Sequence, residues 1–257
     1  MRYGFAIDHR KCIGCHACTT ACKSENEVPL GVFRTWVKYI EKGEFPNTRR
    51  FFSVLRCNHC EDAPCVTICP TKALFKRDDG IVDFDPDLCI GCKSCMQACP
   101  YDALYIDPHR NTAAKCNFCV HRVDQGLLPA CVVVCPEKAI IAGDIDDPFS
   151  EIHEIISREQ ISVRKPEEGT KPKVFYVGAD EASLTPEAVT RRQAYLWGEV
   201  RADDRPREAV TATEQFVGPT DAETVYDVHH PKPWGWKVAS YLWTKSIGAG
   251  AVLIAAI

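Results

Sequence analysis

The chain has 257 residues, room for one or two compact domains with tails, and its formal net charge of −4 gives no electrostatic case for nucleic acid. Sixteen cysteines are the outlier. With 46% hydrophobic residues the chain can build a core without disulfides, so the cysteines point to metal chemistry, with zinc or iron–sulfur as the choices.

The opening residues Met1-Arg2-Tyr3-Gly4-Phe5 lead into Asp8-His9-Arg10-Lys11 with no apolar secretory core and no twin-arginine pair. Any compartment beyond the cytoplasm would then be reached with a partner. The cysteines follow in four quartets between Cys12 and Cys135. Cys12, Cys15, Cys18 and Cys22 have C-x2-C-x2-C-x3-C spacing, and Cys89, Cys92, Cys95 and Cys99 repeat it. Cys57, Cys60, Cys65 and Cys69 widen one gap to four residues; Cys116, Cys119, Cys131 and Cys135 widen it to eleven.

Internal repeats support one duplicated unit. Asp8 to Cys22 recurs as Asp85 to Cys99. Cys69-Pro70-Thr71-Lys72-Ala73-Leu74 recurs as Cys99-Pro100-Tyr101-Asp102-Ala103-Leu104 and as Cys135-Pro136-Glu137-Lys138-Ala139-Ile140. A short helix is expected around each third and fourth cysteine, ended by the proline that follows. A strand pair comes next: Leu74-Phe75-Lys76, the turn Asp78-Asp79-Gly80, then Ile81-Val82-Asp83-Phe84. The fold class expected is α+β, small sheets and short helices wrapped around cofactors.

From about Ser150 the composition turns charged and proline-containing, with one strand-like run at Val174-Phe175-Tyr176-Val177. Residues 151–232 therefore read as an extended tail lying over the cysteine-rich domain or a partner, or as a linker without fixed structure. From Val238 to Ile257 the only charge is Lys245, and Trp234, Trp236, Tyr241 and Trp243 crowd the start. A helix over residues 233–257 would be about 37 Å long at ~1.5 Å per residue, enough to span a bilayer with its aromatics at the interface. The rival reading is a buried packing helix. The run stops at Ile257 without a polar exit, as if the natural chain went on.

The spacing favours iron–sulfur cubanes. Three thiolates close in sequence wrap three corners of one cluster, and the fourth, carried away on a helix, reaches the neighbouring cluster. Gly14 and Gly91 let backbone N–H groups approach cluster sulfurs, and Ile13, Ile68 and Ile90 are expected to supply an apolar shell. Zinc needs neither the third cysteine nor the C-x3-C-P ending. Only 19 residues separate Cys69 from Cys89, so the second and third quartets should exchange their last cysteines. That assigns Cys57, Cys60, Cys65 and Cys99 to one cluster and Cys89, Cys92, Cys95 and Cys69 to another. By elimination the outer pair is Cys12, Cys15, Cys18 and Cys135 with Cys116, Cys119, Cys131 and Cys22. The outer unit is expected over residues 1–52 plus 101–150 and the inner over 53–100.

Cys12-Ile13-Gly14-Cys15-His16-Ala17-Cys18, Val32-Phe33-Arg34-Thr35-Trp36-Val37, Cys57-Asn58-His59-Cys60, Leu128-Pro129-Ala130-Cys131 and Gly143-Asp144-Ile145-Asp146-Asp147-Pro148 together resemble the iron–sulfur subunits of the DMSO reductase/polysulfide reductase/formate dehydrogenase group. The resemblance covers roughly residues 1–180. It implies a double bacterial-ferredoxin-like fold with four 4Fe-4S clusters, and the retention of all sixteen cysteines favours four cubanes over a three-iron variant. It further implies electron relay between a molybdopterin (molybdenum or tungsten) catalytic subunit and a quinone-reactive membrane subunit. The expected place is the bacterial or archaeal cytoplasmic membrane, with the cluster domain at its surface. Relatives often face the outer side, exported with a signal-bearing partner. Trp236 to Trp243 and Gly248-Ala249-Gly250-Ala251 resemble the first helix of an NrfD-like membrane subunit.

Rival functions are the wire of a hydrogenase or other non-molybdenum quinone-linked complex, and an enzyme with one open iron. A full set of sixteen cysteines argues against the open iron. His16, His59 and His121 read as packing or potential-tuning residues, and His229 and His230 as interfacial loop residues. No nucleophile–base constellation and no phosphate loop is present, so no residue is assigned a catalytic role.

Overall fold

The computed structural model describes residues 1–43, 46–186, 190–191, 222–228, 243–244 and 247. In chain order its elements are β1 (Tyr3–Asp8), α1 (Ala17–Glu25), β2 (Thr35–Lys42), β3 (Arg49–Arg56), α2 (Pro64–Thr67), β4 (Leu74–Lys76), β5 (Val82–Phe84), α3 (Ser94–Ala98), β6 (Leu104–Ile106) and β7 (Ala113–Lys115). Then come α4 (Val120–Val123), α5 (Ala130–Val133), β8 (Ile140–Asp144), α6 (Glu151–Arg158), β9 (Ile161–Ser162), β10 (Val174–Val177), α7 (Glu181–Leu184), β11 (Thr190–Arg191) and β12 (Ala222–Tyr226).

The helices sit where the quartets require them. α2, α3 and α5 carry Cys65, Cys95 and Cys131 and stop just before Cys69, Cys99 and Cys135, each followed by a proline that cannot continue the helix. Lys23 follows Cys22 instead, and α1 runs on to Glu25. After each Cys-Pro the chain makes a turn and enters a strand. β4 pairs with β5 in register Leu74↔Phe84, and the turn closes with the Arg77 N–H donating to the Ile81 carbonyl at 2.9 Å. β6 pairs with β7 in the same antiparallel manner.

Two four-stranded sheets frame these units. One has the order β8-β1-β10-β9, with β1 antiparallel to β8 and parallel to β10. The other has the order β11-β12-β2-β3 and is built on the long β2–β3 hairpin. The unit boundary expected between residues 52 and 53 falls inside β3. Apolar packing divides into two main cores. Leu74, Val82, Tyr101 and Leu104 gather around Cys57, Cys60 and Cys65, whereas Phe5, Ile7, Val37, Val54, Phe118 and Tyr176 gather around Cys18 and Cys131.

The span read as an extended tail is folded from residue 151 to residue 184. The Ser150 hydroxyl caps α6 by accepting the His153 N–H, and Ile152 is fully buried. Val174-Phe175-Tyr176-Val177 is an inner strand, not a covering one. Glu61 N–H donates to the Lys171 carbonyl and Asp62 N–H to the Thr170 carbonyl, so this span also clamps the start of the second quartet.

β12 is fastened to β2 by a mostly buried ion pair, Lys38 Nζ to Asp227 Oδ2 at 3.0 Å. Asp227→Ala leaves the ammonium uncompensated at a local cost of about 3 kcal/mol. Amide exchange across 222–226 is expected to accelerate by roughly two orders of magnitude. Unchanged exchange there would show that the pair does not hold the strand. No helix among the described residues is long and apolar enough to cross a membrane. The terminal apolar run lies almost wholly outside the described residues, as do His229 and His230.

Candidate metal centres

All sixteen cysteines are free, and their sulfurs gather in four groups. Cys12, Cys15, Cys18 and Cys135 line a cavity together with Ile13, Gly14, Val37 and Val54. Cys69, Cys89, Cys92 and Cys95 line another with Leu74, Phe84, Ile90 and Ala113. Cys22, Cys116, Cys119 and Cys131 line a third with Asn26, Arg34 and Arg56. Cys57, Cys60, Cys65 and Cys99 share one apolar core within electrostatic reach of one another. Among the described residues no three His, Cys, Asp or Glu side chains converge as a single ion would need. In three of the groups the sulfurs ring a space instead, and the all-thiolate chemistry of all four fits iron–sulfur cubanes.

The local backbone explains how each fourth cysteine is aimed. In the repeated Cys-Pro-x-x-Ala segment the residue before alanine is left-handed each time: Lys72 (φ 56°), Asp102 (φ 54°) and Lys138 (φ 48°). That turn points the alanine N–H back at the sulfur; Ala139 N–H donates to Cys135 Sγ at 3.2 Å. Ala103 and Tyr101 N–H groups do the same for Cys99. Burial pushes the Cys69 thiol up, but N–H bonds from Leu74, Thr71 and Ala73 outweigh it and hold its pKa below the ordinary value. Three non-glycine residues kept in a costly conformation at equivalent positions mark a functional constraint.

The glycines act at the other end of the quartets. Gly91 has φ +65° and its N–H donates to Cys89 Sγ at 3.5 Å, and Gly14 N–H bonds Cys12 likewise. A Cβ on Gly91 would lie 2.6 Å from the Asn111 carbonyl oxygen. Gly91→Ala is expected to destabilise the chain by about 2 kcal/mol and to hasten loss of visible absorbance on exposure to chelator. A variant that resists chelator as well as its parent would argue against a role for this glycine.

Elsewhere burial dominates. It pushes the Cys60, Cys95 and Cys116 thiols up to about 12 and those of Cys12 and Cys99 to about 11. Such groups are neutral until a bound cation draws off the proton.

Several residues that sequence reasoning passed over stand at these centres. Arg56 is fully buried at the end of β3, with Nη1 donating to Cys131 Sγ at 3.3 Å. Burial disfavours its charge, but Cys131, Cys116 and Cys18 more than restore it. Asn26 Nδ2 lies 3.6 Å from Cys119 Sγ and 3.8 Å from Cys22 Sγ, held by Arg34 Nη1 on its Oδ1 at 3.0 Å. The Thr170 hydroxyl reaches Cys60 and also the Tyr101 hydroxyl, at 2.6 Å.

The fully buried His59 takes the Val82 N–H on Nδ1 at 3.2 Å, which leaves its proton on Nε2 with no partner among the described residues. Burial first, then Lys115, Lys173 and Arg56, hold it neutral. His121 is a surface residue hydrogen-bonded to Glu25. Ile13, Ile68 and Ile90, expected as an inner shell, are 54%, 46% and 66% exposed. Ile13 and Ile90 nonetheless line the cavities of their own quartets, each with one side left open, whereas Ile68 lines none of the three; Cys15 and Cys92 in the same loops are exposed too.

Two family profiles, each described as a 4Fe-4S dicluster domain, match residues 48–145 and 11–74. A tetrathionate reductase subunit of Salmonella typhimurium is 50% identical over 204 residues, 77% of this chain and 81% of its own length. A polysulfide reductase polypeptide of Wolinella succinogenes is 45% identical over 181 residues, covering 68% of this chain and 94% of that one. The arsenate respiratory reductase iron-sulfur subunit ArrB of a Shewanella species is 37% identical over 227 residues, covering 69% and 96%.

Proposed function

This chain is a member of the family of iron–sulfur subunits of molybdoenzyme reductases typified by the tetrathionate, polysulfide and arsenate enzymes, and from that membership we propose that its sixteen cysteines hold four 4Fe-4S clusters in a single line. It is an electron-transfer subunit of a membrane reductase complex. The observation that carries the four-cluster reading is the gathering of sixteen free cysteines into four groups of four, with none left over.

The line runs from the Cys12/Cys15/Cys18/Cys135 site to the Cys116/Cys119/Cys131/Cys22 site, because α1 supplies a ligand to each and α5, with the cysteine just after it, does the same. Cys116 lies within electrostatic reach of Cys57, which joins the second site to the Cys57/Cys60/Cys65/Cys99 site. α2 and its partner α3 then join that site to Cys89/Cys92/Cys95/Cys69. The outer unit is assigned to residues 1–52 and 101–150 and the inner unit to residues 53–100, with β10 built into the sheet of the outer unit.

Bound clusters supply one-electron chemistry; the chain's own residues place the sites, exclude water and set their potentials. Burial of most thiols keeps solvent out. The exposed Cys15 and Cys92, each beside an exposed isoleucine, leave the two end sites open to partners. Those partners are a molybdopterin catalytic subunit and an NrfD-like quinone-reactive membrane subunit, with residues 233–257 as a membrane anchor.

The test is to solubilise membranes gently, purify the tagged complex and assay its metals. About sixteen irons per chain, with molybdenum or tungsten on a co-purifying large subunit, are expected. Iron without molybdenum or tungsten would move the wire to another complex, and zinc in place of iron would overturn the reading.

A further inference from the structure

The four sites are not electrostatically alike. The cavity of Cys22, Cys116, Cys119 and Cys131 is lined by two arginines, Arg34 and Arg56, and two asparagines. The charged side chains lining the other two described cavities are Glu137 in one, and Asp85 with Lys93 in the other. Arg56 is 1% exposed, lies over the Phe5 ring at 4.5 Å and donates from Nη1 to Cys131 Sγ. Its Nε and Nη2 are buried with no partner among the described residues, and no carboxylate pairs with it there. Asn26 brings a further N–H to Cys22 and Cys119.

We propose that Arg56 is a potential-setting residue: a fixed cation that raises the reduction potential of the Cys22/Cys116/Cys119/Cys131 site. This rests on the cluster reading given above. Adding an electron to a buried site is favoured by a desolvated positive charge beside it, and a hydrogen bond to a ligand sulfur withdraws electron density from the metal. The two unpartnered nitrogens carry N–H donors in need of an acceptor, and the sulfurs of a cluster in that cavity would be the acceptors at hand. Arg56 also precedes Cys57, a member of the neighbouring group. It therefore reaches from the backbone of one site to the sulfur of the next.

The test is an EPR-monitored redox titration of the purified complex carrying Arg56→Gln or Arg56→Lys. In the Gln variant one cluster transition is expected to move to lower potential by a factor of about ten in its reduced-to-oxidised ratio, about 59 mV for a one-electron couple. The other transitions stay within a third of that shift. Arg56→Lys keeps the charge and is expected to move the same transition less than half as far. Full iron with no transition moved, an upward shift, or an equal shift in both variants overturns the inference.

Should the Gln variant fail to assemble, the wild-type complex labelled with ¹⁵N-arginine decides. Pulsed EPR is expected to show an arginine nitrogen coupled to one reduced cluster, and its absence overturns the inference. Wild type without its full iron would instead overturn the cluster reading, so the two failures are distinct.

Discussion

A Cys65→Ser variant is expected to carry less iron than its parent, by about four atoms if a whole cluster is lost and by about one if a three-iron form survives. Cys65 is 7% exposed and shares its core with Cys57, Cys60 and Cys99. A serine hydroxyl there is a poor ligand for iron and is buried without a good partner. The crossed grouping makes this sharper. Cys65 and Cys69 stand four residues apart, at opposite ends of one helical turn, yet they belong to different groups. Cys65→Ser and Cys99→Ser should delete the same EPR signal, whereas Cys69→Ser should delete another. An unchanged iron count in Cys65→Ser removes that residue from the ligand set. Identical spectra for Cys65→Ser and Cys69→Ser refute the crossing.

Lys115→Met is expected to destabilise the protein by about 2–4 kcal/mol, read from anaerobic denaturant unfolding of the loaded chain. Lys115 is fully buried, and its ammonium donates to the carbonyls of Val82 and Cys116, the latter at 2.9 Å. It thereby ties β5 of the inner unit to the first cysteine of the fourth quartet. Methionine fills similar space but leaves both carbonyls facing an apolar group. It also removes a charge that opposes protonation of Cys65. A loss under about 1 kcal/mol would mean that those carbonyls find other donors.

Cysteine spacing made the groups legible because the grouping is largely local: in three of the four, three sulfurs come from one short stretch, and only Cys131 stands apart from Cys116 and Cys119 across α4. The Asp-Gly turn and the prolines after Cys69, Cys99 and Cys135 likewise state their effect within a few residues. What could not be read is what depends on distant partners. Val174-Phe175-Tyr176-Val177 looks like any short apolar run, and only pairing with β1 makes it an inner strand. Arg56 and Lys115 end strands with charges that composition would place in water. Their burial makes sense only once thiolates and free carbonyls from other segments surround them. Ile68 misleads in the opposite way: an apolar residue just before a ligand cysteine suggests an inward shell, yet it is 46% exposed and lines none of the three cysteine cavities, whereas Ile13 and Ile90 do line theirs. The repeated Cys-Pro-x-x-Ala segment was visible as a repeat, but its purpose lies in a left-handed residue that any of Lys72, Asp102 or Lys138 can supply at a cost.

The place of β1 has a consequence for biosynthesis. Its strand partners are β8 and β10, so Phe5 pairs with Ala142 on one side and Val174 on the other. Neither neighbour exists until most of the chain has left the ribosome. At roughly 5–20 residues per second the first strand waits on the order of ten seconds or more with both edges bare. Such high contact order implies slow closure of the outer unit. The inner unit, whose hairpins and helices are local, can close earlier. Maturation should then proceed from the middle of the chain outwards, and a nascent chain halted before residue 140 would present a largely formed centre, still without its clamp from residues 170–173, inside an open, aggregation-prone rim.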